Sequence, residues 1–327
     1  MIPLTIAIPT YNRPESLNKT LEVILPQFTS ECRLLIIDNN SDSPVSSSVE
    51  SLLKRFPQIN VEIIRNGANI GGNANVLRCF EYCKTEWMWL LSDDDLPHTD
   101  AIQTIYSELG RHPEVININF STNFRQHSRD LVVKDIRELL SNSEVDILVL
   151  ISTNIYKVSE LKKHLSTAYL YTYSWVPQFA ITLLGVLNGG SCYLSLKQIV
   201  AWYEAPKTQS YASTLCAIGL PSLLDIPMDY ESRLLLAQRN VLSPERLLRI
   251  MMAEAIRYDD RRSFQFQFRS LAYRNYGLKF FFMRIRAAIY SLLFYFPPTW
   301  TIRVANLASL FFRGRTLGEI PKRDQRI

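Results

Sequence analysis

The chain lacks the signatures that announce many common chemistries. Its five cysteines, at positions 32, 79, 83, 192 and 216, are odd in number and scattered. Cys79 and Cys83 lie one helical turn apart, but no second pair stands at zinc-site spacing. They read as reduced thiols of a cytosolic protein, most of them in the core. Met1–Ile8 has no basic n-region and runs straight into a strand pattern, so a secretory signal is not expected. The apolar stretch Ala287–Phe296 is only ten residues long and stops at Pro297-Pro298, too short to span a bilayer. There is no internal repeat, no P-loop, no G-x-G-x-x-G fingerprint and no recognisable nucleic-acid-binding module.

What remains is an ordered globular composition with an uneven charge. At 327 residues, 47% apolar and 20% charged, the chain has ample core for one large domain plus an extension, or for two domains. From Arg233 to the end there are 18 basic and 6 acidic residues, a net +12, and 16 of those basic residues are arginine. Residues 1–232 carry 18 basic and 25 acidic residues, a net −7. That asymmetry points the tail toward an anionic partner, either a membrane surface or nucleic acid.

The first 120 residues alternate short apolar runs with helical stretches. Leu4–Ile8, Leu34–Ile37, Val61–Ile64, Met88–Leu91 and Val115–Phe120 read as strands. Glu15–Leu25, Val45–Phe56, Asn73–Lys84 and Asp100–Arg111 read as helices, with Pro14 just inside the first and Thr99 or Asp100 able to cap the fourth. Such alternation implies βαβ units and a largely parallel sheet. Ligands then bind beyond the carboxyl ends of the strands. Further along, Asp146–Ile151 is a strand expectation, Leu194–Tyr203 a helix expectation, and Asn188-Gly189-Gly190-Ser191 a turn.

Four polar loops follow those strand ends. Pro9-Thr10-Tyr11-Asn12-Arg13 offers an aromatic ring for a base and a guanidinium for phosphate. Asp38-Asn39-Asn40-Ser41 places a carboxylate where nucleotide folds contact base or ribose. Arg65–Asn75 contains Gly67, Gly71 and Gly72, which permit close backbone approach to a ligand. Asp93-Asp94-Asp95 follows the buried run Trp87–Leu91 and Ser92. Adjacent carboxylates raise one another's pKa unless a cation neutralises them, so the triplet reads as a metal–diphosphate site. The competing reading is a solvated acidic turn ahead of a helix.

Ile-Pro-Thr-Tyr-Asn-Arg at 8–13, Ile-Asp-Asn-Asn-Ser at 37–41, Arg-Asn-x-x-Asn-x-Gly-Gly at 65–72 and Trp-Leu-Leu-Ser-Asp-Asp-Asp at 89–95 resemble, in order and spacing, the family 2 glycosyltransferases. The likeness covers roughly residues 3–120 and is nearest to bacterial enzymes of O-antigen and other surface polysaccharide synthesis. It implies an α/β GT-A (Rossmann-like) fold, a mostly parallel central sheet flanked by helices with a helical C-terminal extension. The expected activity is hexosyl or deoxyhexosyl transfer from a nucleotide-sugar donor to a saccharide acceptor, in turn linked to a polyprenyl diphosphate. By the same resemblance Pro9, Thr10, Tyr11, Arg13, Asp38, Arg65, Asn69 and Asp93 bind the nucleotide. Asp94 and Asp95 hold a divalent metal, Mn²⁺ or Mg²⁺. The Asp-x-Asp register stays open, because Ser92 takes the first aspartate's place in one alignment and Asp93 in the other.

An inverting transfer also needs a carboxylate base for the acceptor hydroxyl. No acidic pair marks it between 150 and 232, where Glu160, Glu204, Asp225, Asp229 and Glu231 are the available acids. Asp225 and Asp229, following Gly219-Leu220-Pro221-Ser222, are taken as the base positions. Tyr171, Tyr173, Trp175 and Trp202 suit sugar stacking or plain core packing. The expected domains are 1–232, divided at about 120 into nucleotide and acceptor halves, and the basic helical region 233–327. Phe280–Phe282 and Trp300 in that region suit an interfacial position on the cytoplasmic face of the inner membrane. The alternatives are a sugar-phosphate nucleotidyltransferase, which needs a glycine-rich first loop that Pro9–Arg13 does not provide, and a non-catalytic relative or a basic membrane- or nucleic-acid-binding protein.

Overall fold

The computed structural model describes residues 2–201 and 219–240, together with the single positions Trp300 and Arg303. The expectations resting on Trp202, Glu204, Cys216, Phe280–Phe282 and the rest of the helical tail lie outside the described residues. The chain divides into two compact units, residues 1–204 with 228–239, and residues 205–227 with 240–327. Position 232 lies within the helix Tyr230–Asn240.

The first unit opens with βα alternation. Strands β1 (Leu4–Thr10), β2 (Cys32–Asp38), β3 (Asn60–Arg65) and β4 (Trp87–Leu90) are separated by helices α1 (Pro14–Ile24), α2 (Val45–Leu53) and α3 (Gly72–Tyr82). β5 (Leu96–Pro97) and helix α4 (Ala101–Arg111) follow, then β6 (Asn117–Ser121), β7 (Leu131–Val133), β8 (Asn154–Lys157), β9 (Cys192–Gln198) and β10 (Val200–Ala201). Eight strands form one sheet in the order β3-β2-β1-β4-β8-β6-β9-β7. β1 to β4 pair in parallel, and β8 runs antiparallel to both β4 and β6. Two reversals leave β6 parallel to β4, and β9 is parallel to β6. The carboxyl ends of β1, β2, β3, β4, β6 and β9 thus share one edge.

Alternation along each strand decides which face is served. Leu4, Ile6 and Ile8 of β1, Leu34 and Ile36 of β2, and Trp87 and Trp89 of β4 join one buried cluster with Leu17 and Leu21 of α1, Val49 of α2 and Ile105 of α4. The intervening residues Ala7, Leu35, Ile37, Met88 and Leu90 are also buried, on the face where α3 packs over β1 and β2. Each such side chain contributes about 1.5–3 kcal/mol when fully buried. A strand buried on both faces reads as a continuous apolar run, as Trp87–Leu90 does. Pro14 occupies the first turn of α1, where its missing N–H costs nothing.

Three local expectations are corrected. Asp146–Ile151 is not a strand: Val145–Leu148 is a helical turn and Ile151–Thr153 a 3-10 turn, with Val145, Ile147 and Leu148 buried. Leu194–Tyr203 is not a helix, because residues 192–198 form β9, held between β6 and β7 by pairing that overrides local helical preference. Asp100 stands at the N-cap of α4, but its side chain makes no capping bond; Gln27 Oε1 accepts from Ile102 N at 3.2 Å there instead. The turn at Asn188–Ser191 is present, with Gly189 at a φ of 89°. Cys32, Cys79, Cys83 and Cys192 are free and buried.

Candidate functional site

The four loops meet at the shared edge and are wired to one another by side chains. β1 lies between β2 and β4, so Thr10, its last residue, reaches in both directions. Its backbone carbonyl accepts from Asn39 N at 2.9 Å, and its hydroxyl donates to Asp93 Oδ2 at 2.6 Å. Asn12 takes the left-handed backbone, with φ at 53°, and its amide exchanges hydrogen bonds with the backbone and carboxylate of Asp42. Arg13 Nη1 spans the triplet, 2.8 Å from Asp94 Oδ2 and 3.2 Å from Asp93 Oδ1. Pro9 lies in β1 opposite Ile37 of β2, whereas Tyr11 stands 40% exposed.

Asp38 ends β2 and is buried. Burial alone raises its pKa, but Ser41 N at 2.8 Å, Val45 N at 3.3 Å and Arg65 Nη1 at 2.8 Å outweigh that and leave it lowered. Arg65 also donates to Asn40 Oδ1 and to the Ser41 carbonyl. Asp38 therefore holds its own loop and Arg65. Asn69 accepts from Asn39 Nδ2 at 2.8 Å and from Gly71 N at 2.9 Å, which shapes the turn into α3. Gly71, with φ at 84°, is the conformation that turn demands.

The triplet's three carboxylates have three different environments. Asp93 is buried, and its pKa is raised by burial with a further push from Asp94, against the lowering effect of Thr10 and Arg13. Asp94 is half exposed, paired with Arg13 and accepting from the Ser92 hydroxyl. Asp95 is partly buried and bonded to Ser152, with its pKa pushed up to about 6 by burial and by its two acidic neighbours. Ser92 thus sits beside Asp94 as a donor to it. Among the described residues no three acidic, histidine or cysteine side chains converge as a full metal cage. Exposed Asp94 and neighbouring Asp95 nonetheless offer the oxygen donors that hard divalent ions take when phosphates and water finish the shell.

Several residues that matter here carry no motif signal. Thr20 on α1 donates to the Asp93 carbonyl at 3.2 Å and the Asp95 carbonyl at 3.1 Å, fixing the triplet's backbone. Ser152 Oγ accepts from Ser92 N at 2.8 Å, and the Ser152 carbonyl accepts from Trp89 Nε1 at 2.9 Å. Buried Asn39, Asn66 and Asn75 form an amide chain, with Asn66 Nδ2 bonding both Asn39 and Asn75, and Asn75 bonding the Ile37 carbonyl. Asn39 and Asn66 lie inside the 37–41 and 65–72 motifs, but only the fold shows that they bond to one another. His127, on the loop after β6, is buried, and its imidazole pKa is pushed down to about 4 by that burial.

The two base positions are less favourable. Asp229 accepts from Ser232 N, Ser232 Oγ and Glu231 N at the start of the Tyr230–Asn240 helix and pairs with Arg137 at 3.0 Å. Those partners hold its carboxyl well below the usual range, with Ser232 the largest cause. A cap so strongly held as an anion is a weak proton acceptor. Asp225 lies in a 3-10 turn, Leu223–Asp225, of the second compact unit.

Residues 5–155 match the family model of Glycosyl transferase family 2. Over those residues the chain is similar to family 2 glycosyltransferases, and its fold is GT-A, a mixed sheet whose βαβ half is parallel and flanked by helices. Relatives extend the likeness. A GalNAc(5)-diNAcBac-PP-undecaprenol beta-1,3-glucosyltransferase of Campylobacter jejuni is 28% identical over 32% of this chain and 34% of its own length. An uncharacterized glycosyltransferase of Haemophilus influenzae is 29% identical over 36% of this chain and 37% of its own. The match thus spans about a third of each curated relative. Among solved structures, S. aureus TarS 1-349 in complex with UDP-GlcNAc shares the fold at a TM-score of 0.58, 14% identity, and coverage of 97% and 93% of the two chains. A Pyrobaculum calidifontis mannosyltransferase in complex with GDP-Man and Mn²⁺ aligns at 0.57, 14% identity, and 89% and 88% coverage. The described residues include no helix long and apolar enough to cross a membrane.

Proposed function

We propose that this protein transfers a hexosyl or deoxyhexosyl unit from a nucleotide-sugar donor to a lipid-linked saccharide acceptor in bacterial surface polysaccharide synthesis, O-antigen being the leading instance. The observation that carries the reading is the direct wiring of the acidic triplet to the first loop, Thr10 and Arg13 onto Asp93 and Asp94, at the carboxyl edge of a parallel sheet. Tyr11 stacks on the base, while Arg65 and Asn69 shape the wall beside it. Arg13 is placed to exchange its contact with Asp94 for a donor phosphate, because a guanidinium binds both oxyanions in the same fork geometry.

Asp94 and Asp95 would hold a Mn²⁺ or Mg²⁺ ion, and the ion supplies Lewis-acid stabilisation of the diphosphate's leaving charge when bound. Asp93, kept in place by Thr10 and Thr20, accepts from the ribose. The acceptor hydroxyl's proton goes to a carboxylate, and Asp229 is a poor choice for it because it is committed to Arg137 and its helix cap. The Campylobacter relative is named for a PP-undecaprenol-linked saccharide, and TarS and the Pyrobaculum enzyme were solved with UDP-GlcNAc and GDP-Man. Those names support a nucleotide-sugar donor and a lipid-linked acceptor here.

The net +12 beyond residue 232 supports a peripheral position on the anionic cytoplasmic face of the inner membrane. Two measurements test the proposal. A panel of UDP-, GDP- and dTDP-sugars with Mn²⁺ should yield slow donor hydrolysis or thermal protection for one donor. Silence across the panel would refute the enzyme reading. Vesicles containing phosphatidylglycerol should recruit the full chain more than its counterpart with tail arginines replaced by glutamine; equal recruitment would refute the membrane role.

A further inference from the structure

The segment from Tyr171 to Gln178 joins the two halves of the site. On one side Asn73, in the first turn of α3, donates through Nδ2 to the Thr172 carbonyl at 2.8 Å. That same turn is held to the nucleotide loops, because Asn75 bonds both Asn66 and the Ile37 carbonyl. On the other side buried Gln178 donates through Nε2 to the Val149 carbonyl at 2.7 Å. Val149 lies three residues before Ser152, whose hydroxyl supports Ser92 and Asp95. The Tyr171–Gln178 segment therefore runs from the nucleotide side of the shared edge to the triplet side.

Its backbone is unusual in a telling place. Trp175 adopts φ at 65°, a left-handed conformation that a bulky residue rarely takes. Ser174 is buried, and its hydroxyl accepts from Val176 N at 3.2 Å, closing the turn behind the tryptophan. Tyr171 and Tyr173 stack with ring centroids 6.2 Å apart and planes 20° off parallel. Tyr171 is 9% exposed and Tyr173 39%, so a buried ring backs a ring that faces solvent. A supported, flat, solvent-facing aromatic with a second large ring two residues on is the surface on which the C–H face of a pyranose packs.

We infer that Tyr173 and Trp175 form the saccharide-stacking wall of the acceptor subsite, taking a neutral pyranose ring. The inference deepens the transfer reading and rests on it only for calling the bound sugar the acceptor. The Asn73 and Gln178 bonds anchor the segment on either side of Trp175.

The test reads saccharide binding directly, with the full chain labelled with 5-fluorotryptophan. Trp175→Phe assigns the Trp175 fluorine resonance. Methyl glycosides of glucose, galactose and N-acetylglucosamine are then titrated in the presence and absence of UDP and GDP. The expected result is a saturable shift of the Trp175 resonance with at least one glycoside. Tyr173→Ala should weaken that glycoside about tenfold, while any nucleotide affinity stays unchanged. Insensitivity of the Trp175 resonance to all three glycosides would overturn the inference. So would equal weakening of nucleotide and glycoside by Tyr173→Ala, or a resonance that moves only with protein concentration, which would mark a protein contact. A chain that binds glycoside but no nucleotide would refute the donor reading and leave this one standing.

Discussion

Thr10 Oγ1 donates to Asp93 Oδ2 at 2.6 Å, joining the end of β1 to the triplet behind β4 across 83 residues of sequence. Asp93 is buried, so that hydroxyl is one of few groups holding its charge. Replacing Thr10 with valine keeps the shape and removes the donor. We expect a loss of about 1–3 kcal/mol in urea unfolding, the usual consequence of orphaning a buried acceptor. Donor affinity should fall as well, and Thr10→Ser should restore most of both. An unchanged urea midpoint for the valine variant would mean that the bond contributes nothing.

Asp94 is half exposed and shares Arg13 with Asp93, so its removal leaves no buried charge behind. Asp94→Asn should shift stability by no more than about 0.5 kcal/mol, as exposed ion pairs do. Its effect belongs to metal dependence: the Mn²⁺ concentration giving half-maximal turnover should rise at least about tenfold. Differential scanning fluorimetry beside a metal titration separates the two, and an unaltered titration would move the metal ligand elsewhere in the triplet.

Arg65 and Asp38 form a half-shielded ion pair, the arginine partly open to water and the aspartate closed to it. Arg65→Met strips the side-chain cation from a buried carboxylate. The cost should be about 1–3 kcal/mol, below that of a fully buried pair because water reaches the arginine side. The sign with pH follows from the lowered pKa of Asp38. Its stabilising contribution is present above the ordinary aspartate range and is lost as pH falls through the lower folded value. Urea melts from pH 7 downward should show wild type and Arg65→Met converging in acid, and a constant gap would contradict the assignment.

His127 acts in a higher pH window with the same sign. Burial holds its folded pKa at about 4, below the ordinary 6.5. Above pH 7 both states are neutral and the group contributes no pH dependence. Between the two values the unfolded chain takes up a proton that the folded one refuses, so stability falls as pH drops. By pH 5 that loss should be about 1–2 kcal/mol. His127→Gln should abolish it, flattening the curve from pH 7 to 5. A glutamine variant that follows the wild-type slope would show that the imidazole takes up its proton in the fold as readily as in the unfolded chain.

Legibility varied along the chain for physical reasons. β1 to β4 and their helices were readable because strands buried on both faces are continuous apolar runs and the helices between them carry a period of 3.6. The four loops were readable because a parallel sheet must deliver its strand ends to one edge. Beyond residue 120 the sheet is mixed, and identity came from pairing. Cys192–Gln198 is a strand because β6 and β7 lie on either side of it, and Asp146–Ile151 turned inward as helical turns. Thr20 and Ser152 were invisible, since a single hydroxyl carries no pattern until it lies opposite a carbonyl or carboxylate. Asp38 was legible as a strand-end carboxylate, but only the fold shows that it holds Arg65 and its own loop.

By itself the sequence determined the α/β alternation, the polar loops at one edge, the acidic triplet and the uneven charge, because each is a local property of residue type and spacing. Only the tertiary structure decided how the triplet's three carboxylates differ. Asp93 is closed under Thr10, Asp94 faces water beside Arg13, and Asp95 leans on Ser152. Three identical side chains in a row acquire separate roles because burial and partners, which come from distant parts of the chain, set the free energy of each charge.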